Sequence, residues 1–309
     1  MASRNPTSDA QEQGDKGRRR GRPWVGPALR LIVLFTVVFV VLSMTGWAER
    51  LVFYPSSGTP DPPAGAEEVW FRTADGLRLH GWFLPARGRG DASAAAVLVV
   101  HGNAGNIGNH IDFVDFLPAA GFHTLLFDYR SYGRSDSGSL RREALRTDTE
   151  AALDYLLSRS DVDAGRIGLY AQSVGGPMGL SVMVDRPEIR AGVVVSTFTA
   201  WREIAASALG GGDDPGWLSS FVARAVMPSG MDPIDLVRRV NDRPLLLVHG
   251  TEDEIVPRSH FERLGAAAGS NARSVLIDGG GHNDLRWVGP SFDREITAFF
   301  NEHLRRIEP

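Results

Sequence analysis

Short apolar runs alternate with helical patterns along most of this chain of 309 residues. The apolar runs are bounded by turn-forming residues and predict strands over residues 68–72, 77–84, 96–101, 124–129, 167–171, 193–196, 244–249 and 274–278. Helical spacing between them predicts helices near residues 107–119, 140–157, 177–184, 257–268 and 291–306. The later strands are almost continuously apolar, which is typical of a parallel sheet covered by helices on both faces. We therefore predict an α/β fold with a mostly parallel, eight-stranded sheet.

Two stretches interrupt this alternation. Residues 49–66 are rich in proline, glycine and serine, and they predict a linker ahead of a domain that spans 67–309. Within that domain, residues 200–232 contain a glycine cluster and an amphipathic stretch with Trp217 and Phe221. We interpret 200–232 as a small cap inserted after the sixth strand.

The segment 31–48 carries no charged residue and is mostly apolar. As a helix it would span roughly 27 Å, close to the ~30 Å hydrocarbon core of a bilayer. The arginine-rich residues 1–30 are typical of a disordered tail and should stay in the cytoplasm. We expect a single-pass transmembrane signal-anchor helix in the cell membrane, with the following domain outside the cytoplasm. The alternatives are a signal peptide cleaved before Glu49 and a buried core helix.

Composition narrows the possible chemistry. The chain has no cysteine, which excludes disulfides, thiolate metal ligands and a cysteine nucleophile. Its net charge is −4, and because basic residues concentrate in the tail, the remainder is more acidic still. Nucleic acid is therefore not expected as a partner, since phosphate binding needs a basic surface.

Ser173 lies in the run Ala171 to Gly175, between the predicted strand 167–171 and the helix that follows. A strand, a serine with small residues two positions before and after it, and a helix form the pattern of a nucleophile elbow. The turn is so sharp that large side chains at those positions would collide, and it exposes the serine hydroxyl. In a chain with 35 glycines the short pattern is a weak signal by itself.

A glycine-rich turn, His-Gly-Asn-Ala-Gly-Asn (101–106), directly follows the third predicted strand. Such a turn brings the backbone close to a nucleophile at the neighbouring strand end. Its N–H groups can stabilise the oxyanion of a tetrahedral intermediate. We predict that the oxyanion hole consists of the N–H groups of Asn103 and Val174.

The turn His-Gly-Thr-Glu-Asp-Glu-Ile-Val-Pro (249–257) follows the seventh predicted strand and is rich in acids. A carboxylate at this point can orient a histidine and stabilise its cationic form. Glu252 and Glu254 compete with Asp253 for this role, but neighbours in a turn point in different directions. We predict Asp253 as the triad acid.

The turn Gly-Gly-Gly-His-Asn-Asp (279–284) follows the last predicted strand and offers His282 as general base. Ser173, Asp253 and His282 then occur in the order Ser…Asp…His at the ends of predicted strands. Ligands gather at that edge in open α/β sheets. The joint pattern predicts a catalytic triad, although each turn alone is a modest signal.

With these elements the chain resembles α/β-hydrolase-domain serine hydrolases that carry one N-terminal membrane anchor, over about residues 51–304. The resemblance lies in the motifs FYPS (53–56), TADGLRLHGWFLPA (73–86), HGNAGNIGNH (101–110), DYRSYGRSD (128–136), AQSVGG (171–176), STFTAW (196–201), HGTEDEIVP (249–257) and GGGHND (279–284). It implies an α/β-hydrolase fold, the triad named above, and cleavage of esters or thioesters. This serine aminopeptidase-like branch includes members similar to protein depalmitoylases and others similar to lipid hydrolases. Two departures are Ala171, where glycine is usual, and Val195, where many relatives have an acid.

The predicted reaction is acyl transfer through an acyl-enzyme, and it needs neither a metal nor a cofactor. A small-molecule or lipid acyl substrate is expected, while acyl length, leaving group and oligomeric state stay open. Trp201, Trp217 and Phe221 of the cap are candidates to line an acyl pocket, but they equally fit a cap core. Two other functions stay open. One is a serine peptidase, for which Asp213 and Asp214 offer acids to a free amine, and the other is a non-catalytic binding module.

Overall fold

The computed structural model of the protein describes residues 26, 29–31, 33, 34, 47–50, 52–87, 94–240 and 243–304. The chain divides into two units, residues 1–41 and 42–309. All the strands and helices named below belong to the second unit.

Eight strands form a single sheet in the second unit. They are β1 (Glu67–Arg72), β2 (Arg78–Leu84), β3 (Ala94–Val100), β4 (His123–Phe127), β5 (Val162–Gln172), β6 (Ile189–Val195), β7 (Leu245–Gly250) and β8 (Ala272–Ile277). Their order across the sheet is β1-β2-β4-β3-β5-β6-β7-β8. The β1–β2 and β2–β4 pairs are antiparallel, and all other pairs are parallel.

The structure confirms the predicted eight-stranded, mostly parallel sheet, since each predicted strand overlaps an observed one. The start of β5 was predicted too late, because Val162 pairs with Ala94 ahead of a break in register. The start of β6 was also predicted too late, because Ile189 pairs with Ile167 ahead of a similar break. Such irregularities interrupt the periodic pattern that the prediction relies on.

Helices separate most of the strands. They are α1 (Trp47–Arg50), α2 (Ile107–His110), α3 (Arg142–Ser158), α4 (Gly175–Asp185), α5 (Trp201–Gly210), α6 (Gly216–Val226), α7 (Pro233–Arg239), α8 (Arg258–Ala268) and α9 (Ser291–His303). The helix predicted near 107–119 is wrong in length. Only α2 and a 3₁₀ turn over Ile111–Phe113 form, and Val114 then leaves the helical conformation with φ −136°. The prediction missed α7, although its proline at the first position is a typical helix start.

Helices cover both faces of the sheet and bury two apolar cores. Successive strand residues point to opposite faces, so Leu98 belongs to one core and Val97 and Val99 to the other. On the first face, α3, α4 and α8 supply residues such as Leu153. On the second face α9 is the main cover, with Phe300 fully buried. The continuous apolar strands of the sequence are explained by this two-sided burial.

The stretch 49–66 packs against the domain, which corrects its interpretation as a linker. Glu49 is buried, and its carboxylate lies 2.8 Å from the guanidinium of Arg142. Phe53 is 3% exposed, and the N–H of Ser56 donates to the carbonyl of Gly105 at 2.9 Å. The segment is therefore fixed to the turn after β3 and is not a free tether.

Most of the predicted membrane segment 31–48 and of the predicted tail 1–30 lies outside the described residues. Residues 29–31, 33 and 34 are helical, and the described side chains of Leu29, Leu31, Val33 and Leu34 are exposed. Within the part of the chain that the structure describes, no helix has the length and apolar character needed to cross a bilayer.

Candidate active site

Ser173 occupies a strained turn between β5 and α4. Its φ is +52°, in the left-handed region that costs a non-glycine residue about 1–3 kcal/mol. Three hydrogen bonds hold its backbone there. Its N–H donates to the carbonyl of Val195 at 2.8 Å, and its carbonyl accepts from the hydroxyl of Thr197 at 2.8 Å and the N–H of Gly176 at 2.9 Å. Sequence reasoning missed Thr197, which lies in the STFTAW motif, and it gave Val195 no structural role.

Small residues around the elbow allow the backbones to approach. A Cβ atom added at Gly175 would lie 2.1 Å from the carbonyl oxygen of Val100, at the end of β3. Ala171, the departure from the usual glycine, is buried in β5 beneath the helix. Its methyl group faces Gly179 of α4, where an added Cβ would come within 3.0 Å. A glycine one turn into the helix therefore accommodates the larger residue of the strand.

The structure brings Ser173, Asp253 and His282 together. Ser173 Oγ lies 3.1 Å from His282 Nε2, and His282 Nδ1 lies 2.8 Å from Asp253 Oδ2. The three residues come from the β5–α4 turn, the loop after β7 and the loop after β8. Since the carboxylate accepts the Nδ1 proton of a neutral imidazole, Nε2 is free to accept the hydroxyl proton. Ser173 and the His282 side chain are each 9% exposed, so the serine is sheltered but reachable.

Asp253 is held as an ionised, oriented acceptor. Its side chain is fully buried. Oδ1 accepts the N–H groups of Ile255 at 2.9 Å and Val256 at 2.8 Å, and Oδ2 faces His282. Burial opposes ionisation, but the hydrogen bond and charge of His282, with the bond from Val256, outweigh it and lower the pKa of Asp253. The carboxylate therefore stays charged and supports the imidazole.

The surroundings of Glu252 and Glu254, the two acids that compete with Asp253, differ from those of Asp253. Glu252 and Glu254 are exposed, and neither has a hydrogen bond to His282 among the described residues. The backbone of Glu252 instead donates to the carbonyl of Gly280 at 2.8 Å. Of the three neighbouring acids, Asp253 is the one that faces the histidine.

The predicted oxyanion groups lie in the turns after β3 and β5. In the described part of the chain, neither the N–H of Asn103 nor that of Val174 has a hydrogen-bond acceptor. The Asn103 side chain is already occupied, since its oxygen accepts from the N–H of Tyr54 at 3.1 Å and the hydroxyl of Tyr132 at 3.2 Å. Its amide nitrogen donates to the carbonyl of Val52. The backbone N–H, not the side chain, is thus the free donor at Asn103.

Two buried histidines, His101 and His110, brace the turn after β3. His110 Nε2 lies 3.1 Å from the carbonyl oxygen of Ala104, and His101 Nδ1 lies 2.8 Å from that of Gly102. The two rings stack with centroids 4.7 Å apart. Burial lowers the pKa of both, that of His101 to about 3, so both rings are neutral. The signal for His110 was its position in the HGNAGNIGNH motif.

The three predicted pocket residues have different surroundings. Trp201 is 1% exposed, its ring packs 4.9 Å from that of Phe198, and its indole N–H donates to the carbonyl of Met231 at 3.1 Å. Trp217 and Phe221 are 81% and 65% exposed on α6. The structure therefore does not bring these three together as one pocket. Trp201 belongs to the core because its N–H has an acceptor there, whereas on the outer face of α6 the side chains of Trp217 and Phe221 are largely exposed.

A cavity of about 340 Å³ opens beside His282. The loops after β7 and β8 line it, through Glu252, Glu254, Ile255, Gly279, Gly281, His282, Asn283 and Asp284. Three of these side chains are acidic, which favours positively charged groups near the histidine. Among the described residues, no cluster of histidine and acidic side chains is arranged to hold a metal ion.

Comparison with known proteins identifies the family. Residues 95–230 match the family described as alpha/beta hydrolase fold. The chain is 36% identical to the uncharacterized protein YfhR of Escherichia coli K12, over 82% of this chain and 87% of that protein. It is 30% identical to the alpha/beta hydrolase domain-containing protein WAV2 of Arabidopsis thaliana, over 78% and 82%. An esterase of Pyrococcus furiosus has the same fold, with a TM-score of 0.68 and 19% identity over 82% and 98% of the two chains. The chain therefore belongs to the α/β-hydrolase domain family.

Proposed function

We propose that this protein is a membrane-anchored serine hydrolase that cleaves carboxylic esters or thioesters through an acyl-enzyme. The observation that carries the proposal is the hydrogen-bonded line from Ser173 Oγ to His282 Nε2, at 3.1 Å, and from His282 Nδ1 to Asp253 Oδ2, at 2.8 Å. A nucleophile next to a base that is oriented by an acid is the arrangement that activates serine for acyl transfer.

In the first half of the reaction, Ser173 Oγ attacks the carbonyl carbon while its proton moves to His282 Nε2. Asp253 stabilises the imidazolium that forms. The negative charge that develops on the carbonyl oxygen is stabilised by the N–H groups of Asn103 and Val174, which have no other acceptor among the described residues. The imidazolium then gives its proton to the departing alcohol or thiol, and the bond to the leaving group breaks.

In the second half, water takes the place of the leaving group. His282 Nε2 removes a proton from the water as its oxygen attacks the acyl-enzyme carbonyl. The same N–H groups stabilise the second oxyanion. The bond to Ser173 Oγ breaks, the serine recovers its proton from the imidazolium, and the carboxylic acid leaves.

We further propose that residues 31–48 form an uncleaved single-pass anchor, with the N-terminus in the cytoplasm and the catalytic domain outside it. This rests on the charge-free apolar sequence and the arginine-rich segment before it. A catalytic domain held at a membrane fits an amphiphilic or lipid acyl substrate. Mass spectrometry of the mature N-terminus in the membrane fraction tests the anchor, and a chain beginning at Glu49 would contradict it.

The test of the activity is a chain-length series of p-nitrophenyl esters and acyl thioesters, with fluorophosphonate labelling, on wild type and Ser173→Ala. Wild type should label and hydrolyse, and the variant should lose labelling and at least about 10³-fold in kcat. Preference for long chains would support an amphiphilic substrate. Equal hydrolysis by both proteins would contradict the triad, and absence of labelling in wild type would favour a binding module.

A serine peptidase is the second candidate, and one observation favours it. Glu252, Glu254 and Asp284 line the cavity beside His282, where they would attract the free amine of a peptide. Asp213, one of the two acids considered from the sequence, instead accepts a hydrogen bond from Ser259 on α8. Aminoacyl p-nitroanilides with free and acetylated amines separate the two candidates. Cleavage of the free-amine substrate in preference to esters would favour the peptidase.

A further inference from the structure

Helix α6 presents an apolar face to solvent. Trp217, Leu218 and Phe221 are 81%, 58% and 65% exposed, whereas Ala223, on the opposite side, is fully buried. At 3.6 residues per turn the three exposed side chains fall within an arc of about 100°. Only one side of the helix therefore packs on the domain, and its largest side chains lie on the other side.

Leu209, near the end of α5, is a further exposed apolar residue of the cap. It is 59% exposed and precedes Gly210, where an added Cβ would lie 2.2 Å from the carbonyl oxygen of Pro215. The end of α5 is thus in contact with the residue before α6. We call Leu209, Trp217, Leu218 and Phe221 the cap face. Single exposed apolar residues are common, but neighbouring large ones mark an interaction surface.

The end of α6 lies beside the point where the apolar segment 31–48 joins the domain. The guanidinium of Arg142 contacts the carboxylate of Glu49 at 2.8 Å, and it also donates to the carbonyls of Pro228 at 3.2 Å and Gly230 at 2.8 Å. Pro228 is the second residue after α6, and Glu49 directly follows the apolar segment. Arg142 thus connects Glu49 with the residues that follow α6. Because α6 is only about 16 Å long, all of it lies near this contact.

From these contacts we propose that the cap face inserts into the interfacial layer of the membrane that residues 31–48 enter. It rests on the proposed function only in that residues 31–48 are taken as a membrane anchor, and it does not depend on the hydrolase activity. Glu49 directly follows the apolar segment in the sequence, so the proposed anchor would hold the domain close to the bilayer. Tryptophan, phenylalanine and leucine are the side chains that interfacial helices bury.

The charges of α6 are compatible with a lipid surface. Arg224 is its only charged residue and borders the arc of the cap face. Among the described residues Arg224 has no ion-pair partner, so its guanidinium is available to lipid phosphates. In the turn before α6, Asp213 is directed away toward Ser259 of α8 by a hydrogen bond.

The absence of cysteine makes a direct test simple, because single labels need no background substitutions. Full-length Trp217→Cys and Phe221→Cys would each be spin-labelled and reconstituted in vesicles of phosphatidylethanolamine and phosphatidylglycerol. Ser158→Cys is the matched control. Ser158 is exposed at the end of α3, and it precedes β5, whereas Ser173 follows the opposite end of β5. Depth is measured from relative accessibility to oxygen and to a water-soluble nickel complex.

The labels at 217 and 221 should lie about 5–10 Å below the headgroup level, and the label at 158 should be in water. Adding Leu218→Glu to the Trp217→Cys protein should move its label toward the aqueous phase. Equal, water-like accessibility at 217, 221 and 158 would overturn the proposal. Dipolar broadening without oxygen access would mean that a second copy covers the face, which also overturns it. Flotation of the same vesicles tests the anchor separately, and a protein that fails to float removes the basis of the proposal.

Discussion

The catalytic edge of the sheet and the cap differ in how their side chains are held. At the edge, both oxygens of Asp253 are bonded, both nitrogens of His282 have partners, and Ser173 is fixed through its N–H and its carbonyl. On the cap, Trp217 and Phe221 are largely exposed. The side chains of the first region are fixed by hydrogen bonds within the domain, whereas those on the outer face of the second are exposed. The proposed chemistry and the proposed membrane contact therefore lie in different parts of one domain.

The largest expected effect is at the acid of the triad. Asp253→Asn should lower kcat about 10³–10⁴-fold with little change in KM, because the amide no longer fixes the tautomer of His282 or stabilises its cation. Glu254→Gln, one residue away, should lose less than about tenfold. Steady-state kinetics on a short ester measures both. Similar losses in the two variants would mean that the edge is not organised around Asp253.

Substitutions of two tryptophans of the cap distinguish a core position from an exposed one. Trp201→Ala should cost about 3–5 kcal/mol of the free energy of unfolding, because it leaves a cavity among Phe198 and Phe53. Trp217→Ala should change that free energy by less than about 0.5 kcal/mol, since its side chain is exposed. Urea denaturation checks both values. Comparable losses would show that the two residues share one core after all.

At the elbow, a single methyl group should be harmful. Gly175→Ala should cost about 1–3 kcal/mol and most of the activity, because the new Cβ would meet the carbonyl of Val100 and displace Ser173. Gly289→Ala is the matched control, since nothing lies within 4 Å of a Cβ there. Thermal melting and ester hydrolysis are the measurements. A Gly175→Ala protein with wild-type stability would contradict the close contact.

The smallest effect concerns pH. Burial lowers the pKa of His101 to about 3, so below pH ~6.5 the unfolded chain takes up a proton that the folded protein refuses. The free energy of unfolding should therefore decrease as the pH is lowered below about 6.5. His101 contributes at most about 1.4 kcal/mol per pH unit to this decrease. His101→Phe should flatten the dependence. Melting at pH 7, 6 and 5 is the measurement, and unchanged slopes would argue against a buried neutral ring.

Local patterns in the sequence predicted much of the fold and the geometry around Ser173. The alternation of apolar runs predicted the eight strands, because burial on both faces requires apolar side chains at nearly every position. The helix at 107–119 and the missed α7 show where such patterns fail. At Val114 the backbone leaves the helix, and at Pro233 a helix begins with proline at its first position; periodicity reports neither.

The sequence by itself determined the types and order of the residues that meet at the catalytic edge, because sharp turns need glycine, and a base and an acid must follow strands to reach a common edge. The sequence favoured Asp253 over its neighbours, and in the structure Asp253 faces His282. Only the tertiary structure decided that Trp201 is core while Trp217 is exposed. It also decided that Glu49 pairs with Arg142, 93 residues away along the chain. Those outcomes depend on contacts between distant segments, whose relative positions are settled by packing of the whole domain and are not encoded in local spacing.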